Sequence, residues 1–319
     1  MSSPTRTLAQ ASAAALLATS LSSRAAHADD TTTVAYRTQT VQGVDVFYRE
    51  AGPKDAPVVL LLHGFPTSSF MFRELIPLLA TEHHVIAPDY PGFGQSGFPP
   101  RDEFAYTFDH LSHVVEDFVD ALALKQIAVY VQDYGAPIGL RLATRRPELV
   151  KALIVQNGNA YEEGLSDAGW SAIRTYWREP TQAHRDAIRP ILSADGIKSQ
   201  YIGDVPAALA ERVSPDTWTL DYARISRPDN VEVQLDLFAD YQHNVEQYPA
   251  FHAYFRQHKP KTLITWGIHD PFFTVEGARA YLRDLPDAQL ELLDAGHFAL
   301  ETSAPTIARH ILGFLRSCR

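Results

Sequence analysis

Short apolar runs, each handing over to a glycine-bearing turn and then to a helical pattern, restrict most strongly what this 319-residue chain can fold into. Val58-Val59-Leu60-Leu61-Leu62 and Ile127-Ala128-Val129-Tyr130 carry no polar face, so strands built from them must be covered on both sides. Strand-like runs near 57–62, 83–88, 126–132 and 150–156 alternate with helical patterns near 69–80, 110–124 and 136–146. That alternation predicts an α/β protein with a parallel sheet and helices on both faces. Val34–Arg37 and Val44–Arg49 read as short antiparallel strands ahead of it. After Gln156-Asn157-Gly158-Asn159 the strand rhythm stops until about 261, and the insertion between is helix-leaning and rich in Tyr and Trp. The expected division is a core of 34–158 and 258–317 with a helical cap at 159–257. Such a cap would lie over the C-terminal edge of the sheet, where open α/β sheets bind ligands.

Three segments carry chemistry. Val131-Gln132-Asp133-Tyr134-Gly135 follows the second apolar run directly and leads into Pro137–Ala143, giving strand, sharp turn and helix. An aspartate at the tip of such a turn can attack an electrophilic carbon and form an alkyl ester with the enzyme. On text alone, Gln-Asp-Tyr-Gly is also an ordinary strand-to-helix turn. Downstream, Thr262–Trp266 reads as a buried strand ending in Gly267-Ile268-His269-Asp270-Pro271, which places Asp270 to orient an imidazole. Leu290–Leu293 then leads into Asp294-Ala295-Gly296-His297-Phe298, before a last helix near 302–317. Of 13 histidines, His297 alone has the placement of a base; His63, His269, His83 and His84 read as loop or surface residues.

Taken in order from about 34 to 317, these segments resemble the α/β-hydrolases. One residue departs from the pattern: Val131 stands where the first glycine of the elbow usually lies. The resemblance implies a mostly parallel eight-stranded sheet flanked by helices, with the cap inserted before the last two strands. It implies Asp133 as nucleophile, Asp270 as orienting acid and His297 as base. The loop His63-Gly64-Phe65-Pro66 would supply the Phe65 backbone N–H to an oxyanion hole, completed by that of Tyr134. Asp89–Gly97 is similar to a loop common across the fold, and a helix cap at Ser68 or Ser69 is compatible with all of this. No metal or organic cofactor is implied.

Within the family, His63–Pro66, the elbow aspartate, Trp266-Gly267 with Asp270-Pro271-Phe272, and Gly296-His297-Phe298 look like the epoxide hydrolase and haloalkane dehalogenase branch. Epoxide hydrolases protonate the departing alkoxide with two cap tyrosines, and Tyr176 and Tyr241 have that relative placement. Tyr161, Tyr201, Tyr222 and Tyr248 compete for the role. Haloalkane dehalogenases place tryptophan after the nucleophile and asparagine or a second tryptophan elsewhere. Here Tyr134 follows Asp133, and Phe65 stands where asparagine often follows His-Gly, although Trp170, Trp177 and Trp218 lie in the cap. Fluoroacetate dehalogenases share His-Gly-Phe-Pro but have arginine where Tyr134 stands. Epoxide hydrolysis leads and carbon–halogen hydrolysis is second. A catalytically silent ligand-binding member of the fold is the reading from another class.

Composition narrows the partners. A formal charge of -10 speaks against nucleic acid, which needs clustered Lys and Arg, and 45% hydrophobic residues suffice for a large core. The expected substrate is a small hydrophobic electrophile, with water as co-reactant. Residues 1–28 read as a cleaved signal peptide: Arg6 precedes an Ala/Leu-rich run, and Ala26-His27-Ala28 suits a cleavage site. That run is too short and broken for a lasting membrane anchor. The expected location is periplasmic or secreted, or cytoplasmic if 1–28 is not a signal. The single cysteine, Cys318, forms no intrachain disulfide, and the oligomeric state is not legible.

Overall fold

The computed structural model describes residues 32–203 and 205–318, so the expected signal segment lies outside the described residues. β1 (Ala35–Val41) and β2 (Val44–Ala51) form an antiparallel hairpin. β3 (Val58–Leu62), β4 (His84–Pro88), β5 (Ile127–Gln132), β6 (Val150–Gln156), β7 (Lys261–Gly267) and β8 (Gln289–Leu293) are mutually parallel. β2 joins the hairpin to β4 in antiparallel register, giving one eight-stranded sheet in the order β1-β2-β4-β3-β5-β6-β7-β8.

Strand periodicity divides the core into two layers. Leu60, Leu62, Val129, Val131, Leu153 and Val155 face one hydrophobic cluster. Their neighbours Val59, Leu61, Ala128, Tyr130, Ala152 and Ile154 face the other. The first cluster is closed by α2 (Phe108–Ala121), α3 (Gly135–Arg145) and α11 (Val275–Asp284); the second by α1 (Leu75–Leu79) and α12 (Ala299–Ser317).

Helix boundaries follow local chemistry. The single helix expected near 69–80 is instead a tight turn at Ser69–Phe72, capped by Ser68 accepting from the Phe70 N–H, followed by α1. Pro77 has no N–H to return to Arg73, so one continuous helix could not complete its ladder. α2 begins two residues before expectation because the Thr107 hydroxyl accepts the His110 N–H. α12 begins at Ala299 and kinks at Ser303, two residues before Pro305. The surface readings of His83 and His84 are corrected, since both are buried and His84 lies 2.7 Å from Glu50.

Between β6 and β7 the chain forms α4 (Asp167–Arg178), α5 (Gln182–Ile188), α6 (Ala194–Ile202), α7 (Ala207–Ala210), α8 (Pro215–Ile225), α9 (Asn230–Asp240) and α10 (Gln242–His258). Trp170, Leu192, Phe238 and Tyr241 from this insertion join the core cluster of the first layer. No described helix is long and apolar enough to cross a membrane.

The departure at Val131 has a packing explanation. A Cβ on Gly139 would lie 2.6 Å from Val131 Cγ1 and 3.0 Å from Leu62 Cδ1, so the missing methyl on the helix makes room for the valine on the strand. Close strand–helix contact needs one small partner, and here α3 supplies it. Gly139→Ala is therefore expected to cost about 1–3 kcal/mol in denaturant unfolding. Adding Val131→Ala should recover part of that loss, and strict additivity of the two substitutions would contradict the explanation.

Candidate active site

β5 ends at Gln132, and Asp133 turns out of the sheet with φ +47°, in the left-handed region. A non-glycine residue there costs roughly 1–2 kcal/mol, and its neighbours hold it in place. Its N–H donates to the Asn157 carbonyl at 3.2 Å, and its carbonyl accepts the Ala136 N–H at 2.9 Å as α3 begins. Two glycines clear the space. A Cβ on Gly135 would lie 2.3 Å from the Leu62 carbonyl oxygen, and one on Gly64 would lie 2.4 Å from Asp133 Cβ. The Phe65 N–H donates to Asp133 Oδ1 at 2.6 Å, and the Tyr134 backbone N–H also bonds this carboxylate. Burial pushes the Asp133 carboxyl up to about 6, against the lowering pull of His297 and the two backbone N–H groups.

Asp270 and His297 meet as expected, with His297 Nδ1 2.8 Å from Asp270 Oδ2 and both side chains buried. Asp270 Oδ1 accepts the N–H groups of Phe272 and Phe273 at 2.8 and 3.0 Å, which fixes the carboxylate. Burial pulls the His297 imidazole down, but Asp270, by charge and hydrogen bond, and then Asp133 outweigh it, so its pKa lies above the usual value. The Asp270 contact keeps the proton on Nδ1 and leaves Nε2 facing the site as an acceptor.

Three supporting residues carry no signal beyond being polar at the end of a buried strand. Asn157, past the end of β6 at φ +41°, donates to Asp270 Oδ2 at 2.7 Å and accepts the Gly267 N–H at 2.8 Å. Gln132 places its amide nitrogen 3.0 Å from His297 Nε2, and Gln156 donates to the His297 carbonyl at 3.1 Å. His63 is corrected from a surface reading to a fully buried rivet. Its ring stacks on Tyr90 at 4.1 Å, Nδ1 donates to the Gly64 carbonyl at 2.9 Å, and Nε2 accepts the Tyr90 N–H. Burial lowers it to about 4, so it is neutral and holds the Gly64–Phe65 loop without titrating near neutral pH.

An aromatic wall covers the carboxylate. The Tyr134 ring lies 5.6 Å from Phe65, 4.7 Å from Phe108 and 6.0 Å from Tyr241, and Tyr241 packs 4.5 Å from Trp170. The hydroxyls of Tyr134 and Tyr241 are buried without a hydrogen-bond partner; Tyr248 neighbours the Tyr241 hydroxyl without meeting hydrogen-bond geometry. Burial raises both phenols well above their usual range, reinforced by Asp133 and Asp240 at Tyr134 and by Tyr248 and Asp133 at Tyr241. Both therefore keep their protons near neutral pH.

The expected Tyr176–Tyr241 pair shows no described ring contact or hydrogen bond, and the Tyr176 hydroxyl meets Arg185 instead. Arg185, held by Glu232 and Asp236, directs its guanidinium to the Tyr176 hydroxyl at 3.4 Å and draws that side chain into an ion-pair cluster. The competing tyrosines are placed elsewhere: Tyr161 bonds Asp284, Tyr201 bonds Asp221, Tyr248 accepts from Asn159, and Tyr222 is exposed. Two cap indoles are likewise committed. Trp170 donates to the Phe272 carbonyl at 3.1 Å and Trp177 to the Phe238 carbonyl at 2.8 Å, while Trp218 packs on Tyr201. Among the described residues no His, Cys, Asp and Glu cluster is arranged to hold a metal ion.

Comparison with known proteins agrees with this fold. The model of the alpha/beta hydrolase fold family matches residues 57–304. The uncharacterized hydrolase YNR064C of Saccharomyces cerevisiae is 43% identical over 280 residues, spanning 87% of this chain and 95% of its own. A haloalkane dehalogenase of Mycobacterium marinum is 29% identical over 277 residues, 84% of this chain and 87% of its own. The crystal structure of haloalkane dehalogenase DbeA from Bradyrhizobium elkani superposes with a TM-score of 0.68 at 25% identity, over 90% of this chain and 99% of that one.

A carboxyl raised by burial is a destabilising charge above its pKa. The sign is fixed by the upward shift: folding is favoured while Asp133 is protonated, and that advantage is lost as pH rises through its folded value of about 6. Asp133→Asn removes the charge and tolerates the left-handed turn, so it should raise stability at pH 7.5 by about 1–3 kcal/mol. The gain should shrink by pH 4, as measured by denaturant unfolding at the two pH values.

Proposed function

The chain belongs to the alpha/beta hydrolase fold family, and from that premise we infer that it hydrolyses epoxides to vicinal diols through an ester at Asp133. The observation that carries this reading is a pair of buried, protonated phenols, Tyr134 and Tyr241, with rings 6.0 Å apart and both within electrostatic reach of the Asp133 carboxylate. Opening an epoxide creates an alkoxide that needs a proton, and these are the donors available to give one.

In the first stage an Asp133 carboxylate oxygen attacks an epoxide carbon, the carbon–oxygen bond of the ring breaks, and the alkoxide takes a proton from a tyrosine. In the second, His297 Nε2 takes a proton from water as the hydroxide adds to the Asp133 carbonyl carbon. The backbone N–H groups of Phe65 and Tyr134, already directed at this carboxylate, would hold the tetrahedral oxyanion. Collapse expels the diol alkoxide, which takes the proton from His297. The Asp133 carboxyl returns its own proton to the tyrosinate, and the net reaction is epoxide plus water to diol. Asp270 holds the imidazole in the required tautomer and stabilises its cation.

Carbon–halogen hydrolysis is the second reading, favoured by the names of relatives such as the Mycobacterium marinum protein. It would use the same ester but needs N–H donors for the halide. Trp170 and Trp177 would first have to release the backbone carbonyls they now serve. A silent ligand-binding role leaves the fully satisfied Asp270–His297 pair without a purpose.

The test is diol and halide release from parallel panels of epoxides and haloalkanes. Diol should form with the unaltered protein and vanish with Asp133→Ala, while His297→Gln should retain the ester on the peptide containing Asp133. Halide without diol would overturn the epoxide reading. Tyr134→Phe and Tyr241→Phe together should slow ester formation by about 10²–10⁴-fold, whereas Tyr176→Phe should leave it near the original rate.

The pH dependence follows from the nucleophile. Only ionised Asp133 attacks, so single-turnover ester formation should rise with pH through about 6. It should fall roughly tenfold at pH 5 relative to its plateau, as read by rapid quench and intact-protein mass.

A further inference from the structure

We propose that Gln132, which the catalytic scheme does not otherwise use, positions the hydrolytic water and the His297 imidazole for cleavage of the ester, and has no part in forming it. The inference rests on the ester reading of Asp133. Its own ground is a buried amide with one end engaged and the other open. Gln132 is completely buried, its nitrogen lies 3.0 Å from His297 Nε2, and its Oε1 has no hydrogen-bond partner.

The amide orientation follows from chemistry. Asp270 Oδ2, 2.8 Å from His297 Nδ1, keeps that nitrogen protonated, so in the neutral imidazole that ester cleavage requires Nε2 presents a lone pair and the Gln132 group facing it is the NH₂. The open Oε1 faces the nucleophile's side of the site. A single point, where a Cβ on Gly64 would sit, is 2.3 Å from Gln132 Oε1, 2.4 Å from Asp133 Cβ and 2.7 Å from Asp133 Oδ1. The unpartnered acceptor and the carboxylate that becomes the ester therefore both press against the same side of Gly64, which brings them close together.

A water attacking the Asp133 carbonyl carbon has two protons to place. One goes to His297 Nε2, and the other needs an acceptor in a site walled by aromatic rings. Gln132 Oε1 is a buried acceptor that no protein group uses. The amide also responds to the proton transfer. Its NH₂ stabilises the neutral imidazole and opposes an imidazolium N–H, so its loss would favour the charged form of the ring. The His297 backbone is held by Gln156, the register partner of Gln132 on the next strand, which donates to the His297 carbonyl. Ester formation uses neither the water nor the Nε2 lone pair, so the effect is confined to the second stage.

Gln132→Met keeps the length and volume of the side chain and removes both hydrogen-bonding ends. Single-turnover quench with an epoxide that the unaltered enzyme converts should show ester forming at a rate within about twofold of the original, with its hydrolysis slowed at least tenfold. The ester would then accumulate in the steady state, lowering kcat and KM together. Loss of the N–H donor to the neutral imidazole should also move the pH limb of ester hydrolysis upward, which a packing defect would not do. If Gln132→Met does not fold, Gln132→Glu serves in its place. Its carboxylate would stabilise the imidazolium and move the same limb upward.

Equal slowing of both stages, or slower hydrolysis with an unmoved pH limb, would overturn the role of Gln132 while leaving the Asp133 ester intact. Absence of any ester in both the unaltered enzyme and His297→Gln would overturn the ester reading, and this inference with it.

Discussion

A desolvated carboxylate at the tip of a strained turn is the feature around which the other groups are arranged. Burying a charge is unfavourable unless it is met by donors, and the first donors to Asp133 are the backbone N–H groups of Phe65 and Tyr134. Backbone donors can be aimed only by fixing the loops that carry them. Hence Gly64 and Gly135 are bare where any side chain would collide, and His63 is buried neutral between Tyr90 and the loop it braces. The residual mismatch is visible in the raised Asp133 carboxyl. It remains hydrogen-bonded and electrostatically paired, yet less at ease as a charge than in water.

The cap and Asp270 are stitched together through the same few atoms. The Phe272 N–H supports Asp270, while the Phe272 carbonyl accepts both the Ser166 N–H and the Trp170 indole at the start of the cap. The Ser166 hydroxyl also donates to the Pro271 carbonyl, and the Thr274 N–H reaches the Gly164 carbonyl. Cap placement and acid orientation are thus one mechanical unit. This explains why an indole in the cap need not be a ligand-binding donor. Trp170 is spent on the backbone, and polarity toward Asp133 is left to phenols.

Much of this could be read from the chain. The apolar runs gave six strands within a few residues, and the cap appeared as an interruption of their rhythm. Asp133, Asp270 and His297 stood out because each follows a strand-like run, and the structure brings them to one edge of the sheet. What escaped was direction. Tyr134 was legible as a backbone donor, but its hydroxyl could be found only once the Phe108, Phe238 and Tyr241 rings closed around it. Tyr176 and Tyr241 looked alike in sequence, but Arg185, nine residues beyond the first, donates to the Tyr176 hydroxyl, while the Tyr241 ring packs among Phe108, Tyr134 and Trp170. Side-chain direction on irregular cap helices depends on packing with distant partners, which neither periodicity nor spacing encodes.

Register explains how residues so far apart in sequence form one compact site. Gln132 on β5 pairs with Gln156 on β6, and Gln156 pairs with Thr265 on β7, so these strands reach the same edge in step. Just beyond that edge, the Asp133 N–H bonds the Asn157 carbonyl, and the Asn157 side chain ties both the Gly267 N–H and Asp270. A one-residue slip in any of these pairings would send its strand-end glutamine or asparagine to the opposite face and bring an apolar neighbour to the imidazole. The buried faces of β5 and β6 forbid that slip, because their alternate residues are already divided between two hydrophobic layers. The same alternation that builds the core therefore sets the positions of Asp133, Asp270 and the residues that hold His297.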